Sequence, residues 1–215
     1  MIRVLLADDH TIVREGLKRM LAEVTDIEVA AEAGHGAEVM AALRVAEFNV
    51  LVLDLSMPGR SGIELIRQIR GEFPRLPILV LTMHQEEQYA VRAIRAGAGG
   101  YLTKGTAAAE LVAAIRKLAA GGVLVSPRVA ELLALDAMPS ADPLPHQALS
   151  DREFEVFMLL VEGKSVSEIA AQLFLSVKTV STHKTRVLQK MSLASVPDLV
   201  RYAMRHRLAD DAAEM

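Results

Sequence analysis

Short apolar runs alternate with stretches whose apolar positions recur every three to four residues over residues 1–121. The runs lie near 2–7, 27–33, 49–54, 77–82 and 99–103 and read as strands. The periodic stretches near 11–24, 36–47, 61–72, 86–97 and 106–120 read as helices, with Ile63, Ile66 and Ile69 on one face and Ala90, Ile94 and Gly97 on another. Strands that are apolar on both faces belong to a parallel sheet covered by helices on both sides. With right-handed crossovers this is a doubly wound α/β domain with a five-stranded parallel sheet.

The pattern changes after residue 121. Ser126-Pro127 is a good helix start, so a short helix is expected to about Asp136 inside a linker spanning 122–147. "MPSADPLPHQ", with prolines at 139, 143 and 145, reads as its extended part. From Ser150 the strands disappear, and helices are expected at about 151–162, 166–173, 177–191 and 197–207. "SDRE" (Ser150, Glu153) and "SVSE" (Ser165, Glu168) fit the capping box, and Ser176 is a third N-cap candidate. Only "FLS" separates the second and third helices, the short connection of a helix-turn-helix. The second domain is therefore all-α over 148–208, followed by an acidic tail over 209–215.

Composition changes this picture in four ways. The 52% hydrophobic content and mean hydropathy of +0.28 give ample material for a core. Zero Cys excludes a disulfide framework and thiolate metal sites. No apolar stretch approaches the roughly 18 residues of a membrane helix, and acids appear too early in "MIRVLLADDH" for a secretory signal, so a cytoplasmic protein without membrane contact is expected. The net charge of −3 hides an asymmetry: 176–191 holds Lys178, Lys184, Arg186 and Lys190 and no acid, which points to a polyanion partner.

In a parallel sheet all strand C-termini face one edge, where ligands bind. That edge receives Asp8 and Asp9 from the first strand, Asp54 from the third, Thr82 from the fourth and Lys104 from the fifth. In "VLVLDLSMPG" (50–59), Pro58 and Gly59 stop the strand, so Asp54 is expected at the rim, half out of the core. Three carboxylates repel unless something positive intervenes. An oxygen-only cluster suits a hard cation such as Mg²⁺. Lys104 adds a point charge able to pair with a phosphoryl oxygen, and Thr82 a hydroxyl donor. The chemistry indicated is phosphoryl transfer to a carboxylate. His10, His35 and His84 read as polar rim or loop residues, since no ligand spacing accompanies them.

"LLADDH", "VLDLSMPGRSG", "LVLT" and "GYLTK" together resemble the receiver domain of two-component response regulators over residues 1–121. The resemblance implies Asp54 as phospho-acceptor, with Asp9, Asp54 and the backbone carbonyl of Ser56 holding Mg²⁺ and Asp8 acting through water. It implies Thr82 and Tyr101 as a switch pair, the aromatic ring following the Thr hydroxyl inward. Gly105 departs from the Pro, Asp or Glu that many members carry after the Lys.

On a helical wheel of 177–191, Val180, Val187 and Met191 gather on one side with Val177 and Leu188 beside them, and are expected to bury. Lys178, Ser181, Thr182, Thr185 and Gln189 fall opposite, Arg186 and Lys190 on the flank, and Lys184 snorkels from the apolar edge. Small polar side chains with basic margins suit a major groove. His183 reads as a packed histidine. The segment resembles the LuxR-type helix-turn-helix over nearly all of 148–208, which implies that Ser181, Thr182 and Thr185 face bases. It also implies that the fourth helix, "VPDLVRYAMRHR", joins two domains on paired half-sites.

The function expected is a DNA-binding response regulator of the NarL/FixJ type, not an enzyme. A sensor histidine kinase phosphorylates Asp54, and phosphorylation controls homodimerisation and DNA binding, with RNA polymerase as a further partner. Two alternatives stay open. An aspartate-nucleophile phosphatase usually wants an acid two residues on, where this chain has Ser56. A phosphorylation-independent dimeric regulator would use the receiver only for dimerisation.

Overall fold

The computed structural model describes residues 1–58, 62–83, 87–137, 144–206 and 208. Gly59, His84, the middle of the proline-rich linker and the acidic tail lie outside the described residues. Five strands, β1 (Ile2–Ala7), β2 (Ile27–Ala33), β3 (Val50–Leu53), β4 (Ile78–Thr82) and β5 (Gly100–Thr103), form one sheet in the order β2-β1-β3-β4-β5. Every pairing is parallel. The helices between them are α1 (Thr11–Ala22), α2 (Gly36–Val45), α3 (Gly62–Glu72) and α4 (Glu87–Ala96), and α5 (Ala108–Ala119) follows β5. The doubly wound expectation holds.

The central strands β3 and β4 are buried along their whole length, which is why they read as unbroken apolar runs. On one face Val4, Leu6, Val52, Leu79 and Leu81 pack with Leu111, Ile115 and Leu118 of α5 and Leu21 of α1. Ile63, Ile66 and Ile69 bury α3 as their spacing predicts. α4 turns differently: Tyr89, Ala90, Val91, Ala93 and Ala96 are its buried residues, and Ile94 is only half-buried. In an alanine-rich helix, size gives little clue to which side lies against the sheet. Gly97 ends α4 at φ 112°, where a Cβ would also lie 2.4 Å from Arg70 Cγ, so only glycine fits.

After α5 the chain makes one more bridge to the sheet. Leu124 pairs parallel with Gly100: Leu124 N–H donates to the Gly99 carbonyl at 2.8 Å and Tyr101 N–H to the Leu124 carbonyl at 3.4 Å. The expected end of the first domain at residue 121 precedes this rung. Contacts divide the chain into two compact units, and along the connector the boundary falls between Leu132 and Leu133.

α6 (Pro127–Ala137) follows, starting at the expected Ser-Pro step, with Ser126 Oγ accepting from Val129 N–H at 3.2 Å. The second unit comprises a 3₁₀ turn (Pro145–Ala148), α7 (Asp151–Val161), α8 (Val166–Gln172), α9 (Val177–Lys190) and α10 (Val196–Arg205). Each of these four helices has a serine N-cap: Ser150, Ser165, Ser176 and Ser195 accept from the N3 amide, and the first two form reciprocal capping boxes. Their core is Phe154, Phe157, Leu160, Ile169, Val180, Val187 and Leu199. Among the described residues no helix is long and apolar enough to cross a membrane.

Candidate functional site

The sheet positions the acidic rim by extending its own ladder one rung past each strand. Asp8 N–H donates to the Ala33 carbonyl (3.0 Å), Asp54 N–H to the Ala7 carbonyl (2.8 Å) and Lys104 N–H to the Thr82 carbonyl (2.8 Å). Three backbones are thereby fixed at the edge where the strand order switches, and their side chains converge. Lys104 Nζ lies 2.7 Å from Asp54 Oδ2 and 2.6 Å from Asp8 Oδ2.

Asp54 is not half out of the core, as its place after a strand suggests, but 1% exposed. The ammonium of Lys104 and its own loop cover it: Ser56 N–H donates to Asp54 Oδ1 at 3.2 Å, and the neighbouring Leu55 and Met57 are buried. Gly62, at the start of α3, makes that closeness possible, since a Cβ there would stand 2.5 Å from Leu55 Cα. Burial acts against the charge on Lys104, but the bonds to Asp54 and Asp8 outweigh it and raise the amine above its ordinary value. Gly105 leaves this geometry intact.

Asp9 is the member of the cluster with capacity to spare. Its Oδ1 is buried without a hydrogen bond among the described residues; His10 Nδ1 stands 2.9 Å away, an ion pair only when that ring is protonated. Asp8, Asp9, His10 and Asp54 each bring one ligand-type atom into a group within 4.8 Å of one another. Three carboxylates against one ammonium leave a formal charge of −2. Oxygen donors, an unspent buried oxygen and that residual charge fit a hard dication such as Mg²⁺.

Two participants were not anticipated. His10, read as a rim residue, joins the cluster, and its N–H donates to Asp8 Oδ1 at 2.8 Å. Arg14 donates to the Asp8 carbonyl at 2.5 Å. Its position one turn into α1, facing the strand end it follows, was the available signal.

Thr82 is fully buried at the end of β4. Val80 pairs with Tyr101 and Thr82 with Thr103, so Thr82 and Tyr101 are diagonal neighbours on one face of the sheet. Tyr101 is half-buried.

The basic helix α9 buries Val180 and Val187, with Met191 just beyond it, as the wheel predicts. Val177 departs from it at 52% exposed, because the first helical residue projects past the helices that cover the later turns. Lys178, Ser181, Thr182, Thr185, Arg186 and Gln189 are exposed, and Lys184 and His183 half-buried. Thr182 Oγ1 donates to the Lys178 carbonyl at 2.9 Å and Thr185 Oγ1 to the Ser181 carbonyl at 3.0 Å. Their protons are spent within the helix, so they offer outward only lone pairs and methyl groups. Lys190 differs from the other cations: its Nζ lies 2.6 Å from Glu153 Oε2.

A strand-end acid cluster under a lysine and a helix-turn-helix with an exposed basic helix are the two parts of a signal-responsive DNA-binding protein. The chain belongs to the response regulators: residues 4–116 match the response regulator receiver domain, and residues 147–203 match the luxR family of bacterial regulatory proteins. Among its relatives it is 37% identical over 214 residues, 99% of this chain and all of the other, to Response regulator GacA of Pseudomonas viridiflava. It is 36% identical to Response regulator UvrY of Escherichia coli K12, covering 98% of this chain and 97% of that one. A solved structure of RcsB from Salmonella enterica serovar Typhimurium, bound to promoter rprA with the phosphomimetic BeF₃⁻, matches with TM-score 0.64 and 30% identity over 95% of this chain and 99% of that one.

Proposed function

We propose that this response regulator is switched by phosphorylation of Asp54 by a sensor histidine kinase, and that the phosphorylated form dimerises and binds paired DNA half-sites. The observation that carries the reading is Lys104 Nζ held between Asp54 and Asp8, with a buried Asp9 oxygen left over beside them. Asp9, Asp54 and the Ser56 carbonyl would hold Mg²⁺, with Asp8 acting through water; the ion supplies charge neutralisation for the incoming phosphoryl group. Lys104, already aimed at Asp54, exchanges a carboxylate oxygen for a phosphoryl oxygen without moving far. Thr82 supplies the hydroxyl that reports the phosphoryl group, and Tyr101, on the same face, follows it. The receiver over 1–121 is the input and the helical domain over 148–208 the output.

On α9, Ser181, Thr182 and Thr185 meet base edges, while Lys178, Lys184, Arg186 and Gln189 lie along the phosphates. Thr182 and Thr185, whose hydroxyl protons are engaged within the helix, and Ser181, whose hydroxyl can donate or accept, read bases ambiguously, so the site is degenerate and much of its affinity is electrostatic. RNA polymerase is a further partner of the bound dimer. The phosphatase alternative needs an acid two residues after Asp54, where Ser56 instead gives its amide to that carboxylate. An acyl phosphate then persists long enough to signal, and the protein is a regulator that assists its own phosphorylation.

The test is incubation of the full chain with acetyl phosphate and Mg²⁺. Intact mass should rise by one hydroxylamine-labile phosphoryl group, and Asp54→Asn should abolish it. Phosphorylation that survives the substitution at another residue refutes the assignment. DNA affinity measured with and without beryllofluoride separates the switch from a receiver that only dimerises.

A further inference from the structure

Lys190 is the last residue of α9, and its ammonium is engaged by two acceptors. It donates to Glu153 Oε2 at 2.6 Å and to the Ala148 carbonyl at 3.3 Å. Glu153 is 5% exposed and already works in the α7 capping box, its Oε2 accepting Ser150 N–H at 2.8 Å. Burial tends to raise the Glu153 pKa, but Lys190 and the Ser150 bonds prevail and hold it below the usual value. The Ala148 carbonyl closes the 3₁₀ turn through which the chain enters the domain. On the other side of that turn, His146 Nδ1 lies 2.8 Å from the Tyr202 hydroxyl of α10.

Lys190 lies thirteen positions after Val177, about 20 Å along the helix axis. A recognition helix reads bases with its N-terminal residues. A cation at the far end, paired with a buried carboxylate, presents little net charge to a phosphate. We infer that Lys190 is a positioning residue: it fastens the C-terminal end of the recognition helix to the α7 cap and the entering turn, and so sets the angle at which Ser181, Thr182 and Thr185 meet DNA. This rests on α9 being the DNA-reading helix, as proposed above.

The test uses the full chain and a duplex that the wild type enriches from a random pool, with a scrambled duplex of equal length, titrated over a salt series. Lys178→Met, which removes a phosphate contact, should lower the slope of log K against log salt by about 1. Lys190→Met should instead keep the wild-type slope, lose at least about fivefold in affinity for the enriched duplex, and lose less for the scrambled one. Glu153→Gln, which keeps the cap but not the charge, should show the same pattern, and the double variant should be no worse than either single one. Thermal melts fix a temperature at which every variant is folded. A Lys190→Met slope reduced like that of Lys178→Met overturns the inference. So does a Glu153→Gln chain that binds as tightly as wild type or tighter, the ordinary result of removing an acid near a polyanion. An unchanged slope in Lys178→Met overturns the reading of α9 itself, and the inference with it.

Discussion

The two working surfaces of this chain are built in opposite ways. The acidic rim draws on residues from Asp8 to Lys104, brought together by four strand ends and largely buried; the proposed DNA face draws on one exposed helix of 14 residues. At the rim an ion pair sits in low dielectric, so each charge depends on the others. On α9 each exposed charge other than that of Lys190 is screened and nearly independent. The same contrast runs through the scaffolds. The second unit's four helices all carry serine caps, whereas α1 and α5 begin at His10 and Ala107 without a side-chain cap. Of α1, α2 and α5, only α2 has a side-chain cap, from His35; a parallel sheet can hold helices that do not start well by themselves, and a small helical domain has less packing with which to do so.

The largest expected effect tests the interdependence of the rim. Lys104→Met should cost about 3 kcal/mol in urea unfolding of the receiver, since it leaves Asp8 and Asp54 buried without their cation. Added Mg²⁺ should recover more stability in this variant than in wild type; equal recovery would mean the acids are not one site. Next comes pH. The raised Lys104 pKa makes its contribution complete below about 10.5 and lost as pH climbs through the folded value. The lowered Glu153 pKa makes its contribution complete above about 4.5 and lost as pH falls through the folded value. The stability gap between wild type and Lys104→Met should therefore narrow at alkaline pH, and that between wild type and Glu153→Gln at acid pH; a gap that stays constant across its window breaks the assignment. The smallest effect concerns the caps. Ser165→Ala should destabilise the helical unit by about 1 kcal/mol, and Ala107→Ser should stabilise the receiver by up to about 1 kcal/mol. Melting curves that move in the same direction would erase the contrast between scaffolds.

What could be read in the sequence follows the same division. Continuous apolar runs and strand-end acids were legible because a parallel sheet imposes both: β1 and β2 fall at the expected residues, and β3 to β5 within one residue of them at each end. The convergence of Asp8, Asp54 and Lys104 was legible from topology alone, but the depth of Asp54 was not, since nothing local to residue 54 tells that Lys104 closes over it. Along α9 the wheel placed Val180 and Val187 inward but misjudged Val177, because periodicity gives an angle and not the length of the covering helices. The Lys190–Glu153 pair escaped a reading of charges along one helix. Its partner lies 37 positions away, and the capping box that buries it gave only half the clue.

The rung that Leu124 adds beside Gly100 has a practical consequence for anyone wishing to graft this receiver onto a foreign output module. A cut at Gly121, where the last helix has ended, would strip the edge of β5 and leave the Gly99 carbonyl and the Tyr101 amide bare. The workable junction falls beyond Leu124, so a chimera must carry the opening residues of the connector along with the receiver.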